Sequence, residues 1–320
     1  MGHIVRSAAI ARAIRRLGEP RPTIIASPGF THMVDRDDFD FHILAPSGNP
    51  GEFRAQILEA IHELSPRAFI TDALPMGLMG ELRDYLPDFK GKKILVSRLL
   101  RRDYRKEHKV DEFVRRNYDL VIRSEALPRS FPGHPHSVAV PPILALDPSE
   151  MVTRQEARRM LKVPDDRFLV MTVGTDSPDC VDAFFREIGD NRLFSKNPFL
   201  MLRFASPYGK PSPSSKHTRY CPLMKLLPGA DLVIGYAGYH LFHECVAAGV
   251  PALLNPRPRL YDDQELRVLS SRGRVSIFRD RRELEEGVHR HILGAPKRRS
   301  PQNISTGGAR KAAEIILEYL

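Results

Sequence analysis

The stretch GADLVIGYAGYHLFHECVAAGVPALLNPRPRLYDDQ, Gly229–Gln264, decides the fold. DLVIG is an unbroken apolar run, the pattern of a strand covered on both faces of a parallel sheet. YAGY (Tyr236–Tyr239) is a glycine turn at the carboxyl end of that strand. HLFHECVAA reads as a short helix, stopped by Gly249 as C-cap and Pro251 as breaker. PALLNP is the next strand. Ligands of open parallel sheets bind beyond the carboxyl ends of the strands. A helix start preceded by glycine offers N–H groups and roughly half a positive charge, which suits a diphosphate. Glu244 lies inside this helix, four residues from both His240 and Ala248. Its carboxylate can accept hydrogen bonds from two adjacent hydroxyls, as on a ribose. The plainer alternative is a solvated helix glutamate.

Outward from this stretch the same alternation continues in both directions. Strands are expected at Thr23–Ala26, Phe41–Leu44, Ala68–Thr71, Lys93–Val96, Leu120–Ile122 and Ser137–Val140. Helices are expected at residues 4–17, Gly51–Leu64, Leu78–Leu86 and Val110–Asn117. VPPILALDPSE (Val140–Glu150) interrupts this, because adjacent prolines forbid helix and favour an extended connector. Beyond it, Thr153–Leu161 is helical, with Thr153 and Glu156 forming a capping box. Strands follow at Arg167–Gly174, Pro198–Phe204, Leu232–Gly235, Ala252–Asn255 and Val275–Phe278, and a helix at Ala309–Leu320. Such alternation marks an α/β protein with doubly wound parallel sheets. The division expected is 1–146, 147–300 and a closing helix within 301–320 that returns to the first domain.

Composition narrows the function classes. The 320 residues are 42% hydrophobic and 28% charged, a globular balance that suits two domains. No apolar run reaches the roughly 20 residues of a spanning helix, and no secretory signal is read, so a cytoplasmic location is expected. The net charge of +10 favours anionic partners. Nucleic acid is not expected, since no aromatic-interleaved or zinc-finger motif occurs. RLLRRDYRKEHK (Arg98–Lys109) is a solvated charged face or a contact for an anionic membrane surface. The three cysteines are widely spaced, and HLFHEC lacks the HExxH pattern, so neither a disulfide framework nor a metal site is expected.

The pattern D-L-V-I-G-x-x-G-x-x-x-x-x-E-x-x-x-x-G-x-P, a strand, then D-x-Q resembles the C-terminal domain of family 28 glycosyltransferases, and UDP-GlcNAc 2-epimerases share a related pattern. The resemblance implies a GT-B fold: two Rossmann-like domains whose parallel sheets face a cleft. It implies that Gly238 and Tyr239 lie at the donor diphosphate and that Glu244 holds the ribose. It further implies that Gln264, with Asp262 or Asp263, touches the donor sugar. Gly174–Thr175 would form a loop facing the cleft, with Thr175 where the family usually shows a second glycine.

The first half is similar in two further places. GH-x-x-R (Gly2–Arg6) with its alanine-rich helix resembles the loop after a first strand in such enzymes, so the N-terminal domain as given is expected to lack that strand, through a start assigned late or, alternatively, through its true absence. DALPMGLMGEL (Asp72–Leu82) resembles an acceptor-side loop. Histidine is suited to general-base work at neutral pH, which makes His3 the candidate base, with Asp72 the alternative. Arg6 would pair with a phosphate or a carboxylate. The expected activity is metal-independent, inverting transfer of GlcNAc or another hexose from a UDP-sugar, with no cofactor. Its acceptor would be a glycan, a lipid-linked molecule or a small molecule. A UDP-sugar 2-epimerase and a non-catalytic nucleotide-sugar-binding protein are the alternatives.

Overall fold

Among the described residues every strand pair in the sheets is parallel, so successive strands are joined by crossovers, and helices lie in those between Ser97 and Leu120, Tyr236 and Ala252, and Asn255 and Ser276. The computed structural model describes residues 2–18, 21–27, 31, 34, 37–125, 131, 133–174, 200–205, 216–218, 222–271, 273, 275–293 and 307–320. The chain forms two units. The first comprises Met1–Ala145, Leu260–Asp263 and Ser305–Leu320, and the second Leu146–Arg259 and Gln264–Ile304.

The first unit opens with α1 (Gly2–Arg16), β1 (Thr23–Ala26), β2 (Asp40–Ile43), α2 (Pro50–Leu64) and β3 (Ala68–Asp72). It continues with β4 (Lys92–Ser97), α3 (Arg102–Glu107), α4 (Val110–Asn117), β5 (Leu120–Arg123) and β6 (Ser137–Ala139). The second unit holds α5 (Arg154–Leu161), β7 (Leu169–Gly174), β8 (Leu200–Ala205), β9 (Lys216–Thr218) and β10 (Leu232–Tyr236). It ends with α6 (Tyr239–Ala248), β11 (Ala252–Asn255), α7 (Gln264–Leu269), β12 (Ser276–Ile277) and α8 (Arg281–Leu293). The last helix, α9 (Gly308–Tyr319), belongs to the first unit.

The second unit is built on one six-stranded sheet, in the order β12-β11-β10-β7-β8-β9. The apolar runs of β7 and β10 are wholly buried, as the sequence pattern requires. α5 starts on the expected capping box: Thr153 accepts from the Glu156 amide and Glu156 accepts from the Thr153 amide.

The first unit holds two sheets among its described residues, β1-β2 and β3-β4-β5-β6. α1 packs on both. Ala8 and Ala11 meet Phe39 and Ile24, while Ala9, Ile10, Ala13 and Ile14 join Ile94, Val96, Leu120 and Ile122. α9 packs into the second of these clusters through Ala312, Ala313 and Ile316. A side chain at Gly308 would strike the Pro141 and Pro142 carbonyl oxygens, so this helix start sits directly on the proline connector.

One expected element is replaced. Leu78–Leu86 was expected as a helix, but the chain there runs through successive turns. Gly77 and Gly80 adopt φ of +86° and +82°, outside helical space. The Glu81 carboxylate takes the Leu78 and Met79 amides at 2.9 and 2.7 Å, a local bond that competes with helix. Among the described residues, no helix is long and apolar enough to cross a membrane.

Candidate functional site

In the first unit, β3 ends in Asp72, at the carboxyl edge of its sheet. His3 and Arg6 are three residues apart on α1, so they share one face and reach the same carboxylate. Each takes its own oxygen. His3 Nδ1 lies 2.8 Å from Asp72 Oδ2, and Arg6 Nε donates to Oδ1 at 2.5 Å. The Arg6 side chain is only 2% exposed, whereas the His3 ring is 46% exposed.

Burial pushes the Asp72 carboxyl up, but the Arg6 charge, the His3 hydrogen bond and Arg98 together outweigh it and hold its pKa at about 2. So weak a base is a poor proton acceptor at neutral pH. A carboxylate only accepts hydrogen bonds, so Nδ1 carries the proton facing Asp72. The other ring nitrogen, Nε2, lies on the side of the ring away from the carboxylate. The geometry therefore distinguishes the two candidate bases: Asp72 is ionised and held by two partners, whereas the His3 ring is exposed to solvent. Arg6, expected to pair with a phosphate or a carboxylate, pairs with the Asp72 carboxylate.

In the second unit, β10 runs into Tyr236-Ala237-Gly238, and α6 begins at Tyr239. Gly238 is the N-cap and supplies no side-chain cap. A Cβ at Gly238 would meet nothing within 4 Å, so no steric contact requires glycine there. Gly235 differs, since a Cβ would come within 2.5 Å of Leu241 and 2.9 Å of the Val173 carbonyl. Glu244 is 6% exposed, which excludes the solvated-glutamate alternative, and its Oε1 lies 3.4 Å from His240 Nδ1.

Two arginines that sequence reasoning missed flank the same turn. Arg267, 1% exposed, donates to the Ala237 carbonyl at 3.1 Å and lies 5.9 Å from the Tyr239 ring. The Arg257 guanidinium sits 5.1 Å over the Tyr236 ring. Neither belongs to a recognisable motif, and the contacts that matter span 30 and 21 residues.

The residues expected around a donor sugar are divided between the units. Gln264 opens α7 in the second unit, and its side-chain oxygen accepts the Arg257 amide at 3.0 Å. Asp262 and Asp263 belong to the first unit, where Asp262 is buried and bridges Leu100. Tyr261 beside them accepts the Arg101 amide at 2.8 Å and meets the Tyr104 ring edge-on at 4.8 Å. Gly174 ends β7, paired with Ala205. Thr175 lies outside the described residues.

No protein-family pattern matches the chain, and no curated protein sequence is significantly similar. Solved structures are similar over nearly the whole length. MurG of Acinetobacter baumannii superposes with a TM-score of 0.60 at 15% identity, covering 99% of this chain and 96% of that one. A glycosyltransferase of Arabidopsis thaliana complexed with UDP gives 0.61 at 13% identity, covering 99% and 96%. A putative UDP-N-acetylglucosamine 2-epimerase of Listeria monocytogenes gives 0.67 at 12% identity, covering 98% and 91%. The chain has the GT-B fold.

Within a GT-B fold the two clusters occupy equivalent places. Asp72 stands at the carboxyl end of a strand in one Rossmann-like unit, and Gly238 follows the carboxyl end of a strand in the other. Both are where open parallel sheets bind ligands.

Proposed function

We propose that the protein is a glycosyltransferase that moves a hexose, GlcNAc first among the candidates, from a UDP-sugar to an acceptor hydroxyl. The observation that carries this reading is the His3–Asp72 hydrogen bond, which leaves an imidazole nitrogen free to act at the end of β3. In the proposed step, His3 Nε2 takes the proton from the acceptor hydroxyl. The oxygen attacks the anomeric carbon as the bond to the UDP oxygen breaks, and the configuration inverts. Asp72 stabilises the imidazolium that forms.

On the donor side, the Gly238 and Tyr239 amides at the α6 start would receive the departing diphosphate without a metal ion. Glu244 would hold the ribose hydroxyls. Asp262, Asp263 and Gln264 would contact the sugar, and Gly174–Thr175 would line the approach. The acceptor would be a glycan, a lipid-linked molecule or a small molecule, and the basic Arg98–Lys109 run would meet an anionic membrane surface where the acceptor is lipid-borne.

Support comes from the full-length likeness to a UDP-bound glycosyltransferase and to MurG. The likeness to a putative 2-epimerase favours the second reading, in which the same donor site serves inversion at the sugar C2. Incubation with UDP-GlcNAc separates them. Release of UDP with an inverted sugar product, lost in His3→Gln, is the expected result. A C2-inverted UDP-sugar would replace this reading with the epimerase. Absence of UDP binding would remove both.

A further inference from the structure

We propose that Tyr118 is the positioning residue of the Asp72–His3 pair, a role that rests on the transfer reading above. Tyr118 follows α4 and is 4% exposed. Its hydroxyl lies 2.9 Å from Thr71 Oγ1 and 2.7 Å from the Pro75 carbonyl oxygen. The roles of these groups are fixed by chemistry. A carbonyl only accepts, so the phenol donates its proton to Pro75 and accepts the Thr71 hydroxyl proton. Burial, foremost, pushes the phenol above its ordinary pKa, so it stays a donor throughout the neutral range.

The two tethered residues bracket Asp72. Between them the chain turns through Ala73, which is fully buried and held at φ +68°. The Leu74 amide closes back on the Asp72 carbonyl at 2.9 Å, making a γ-turn in its rare left-handed form, and the Ala73 amide donates to Val96. An alanine resists this conformation, and such strain persists where surrounding contacts over-determine it. Tyr118 supplies that constraint from outside the loop. It joins the residue before the carboxylate to the third residue after it. The turn it maintains sets where the Asp72 oxygens point, and so which His3 nitrogen carries the proton.

A role in core stability alone makes a different prediction, and the two can be told apart in the full-length protein. The probes are the ¹⁵N signals of the His3 ring, assigned with His3→Gln, and the hydrolysis of UDP-GlcNAc by water. In Tyr118→Phe, the His3 ring is expected to lose its preference for the Nδ1–H tautomer. The kcat is expected to fall on the order of tenfold to a hundredfold, with KM unchanged. Thr71→Val, which leaves the Pro75 bond, should move both readouts the same way by less, and it carries the test if the phenylalanine variant does not fold. Adding Ala73→Gly to Tyr118→Phe should restore the tautomer, because glycine adopts this φ without strain. The proposal is overturned if both variants keep the wild-type tautomer and kcat while losing only thermal stability. If the parent protein hydrolyses no UDP-sugar, the transfer reading fails, while the tautomer measurement still decides the role of Tyr118.

Discussion

Replacing Asp72 by asparagine tests the Asp72 cluster through stability, independently of any substrate. A carboxyl held at about 2 in place of its ordinary 3.8 contributes roughly 2 kcal/mol to folding at neutral pH. The asparagine also removes the counter-charge of Arg6, which is 2% exposed. Breaking a buried ion pair costs about 3–5 kcal/mol, which sets the upper end of the expected loss. The sign of the pH dependence follows from the lowered pKa. The carboxylate's contribution is fully present above about pH 4 and disappears as pH falls through about 2. Urea unfolding of parent and Asp72→Asn, followed by circular dichroism across this range, should therefore show a stability gap that is widest at neutral pH. It should narrow as the solution is acidified below about pH 4. A gap of the same size at every pH, or none at neutral pH, would refute the reasoning, because Asp72 would then not be charged and paired as the geometry requires.

Two further outcomes concern the second unit. Gly238→Ala should cost no more than about 1 kcal/mol of stability, the N-cap difference between glycine and alanine, since its Cβ meets nothing within 4 Å, yet weaken UDP binding by on the order of tenfold in calorimetry. Gly235→Ala should do the opposite, costing about 1–3 kcal/mol of stability through its clash with Leu241 and Val173. Glu244→Ala should erase the preference of the parent for UDP over 2′-deoxy-UDP, a preference expected at roughly 10–150-fold for a hydrogen bond to a charged group. An unchanged preference would show that Glu244 does not hold the ribose.

Much of the second unit was legible because its signals are local. The apolar runs of β7 and β10, the Thr153–Glu156 capping box and the Gly249 stop each lie within about ten residues, over which strand and helix patterns declare themselves. Leu78–Leu86 failed for a related reason. Its apolar spacing is helical, but Gly77, Gly80 and the Glu81 carboxylate together prefer turns. Periodicity does not register a carboxylate that captures backbone amides. Tyr118 was invisible as a site residue, because a tyrosine after a helix reads as core until Thr71 and Pro75 are seen against its hydroxyl.

By itself the sequence determined the alternation of strands and helices, the glycine turn ahead of α6 and the identity of His3, Asp72 and Glu244 as residues worth watching. Each rests on short-range chemistry. Only the tertiary structure decided what those residues are to one another. Asp72 meets Arg6 and His3 across 66 and 69 residues of chain. That meeting holds Asp72 ionised between two partners and gives the Arg6 cation a carboxylate partner. The same holds for Asp262 and Gln264, two residues apart in sequence and assigned to different units. Desolvation and pairing depend on which surfaces the fold closes together, and no spacing along the chain encodes that.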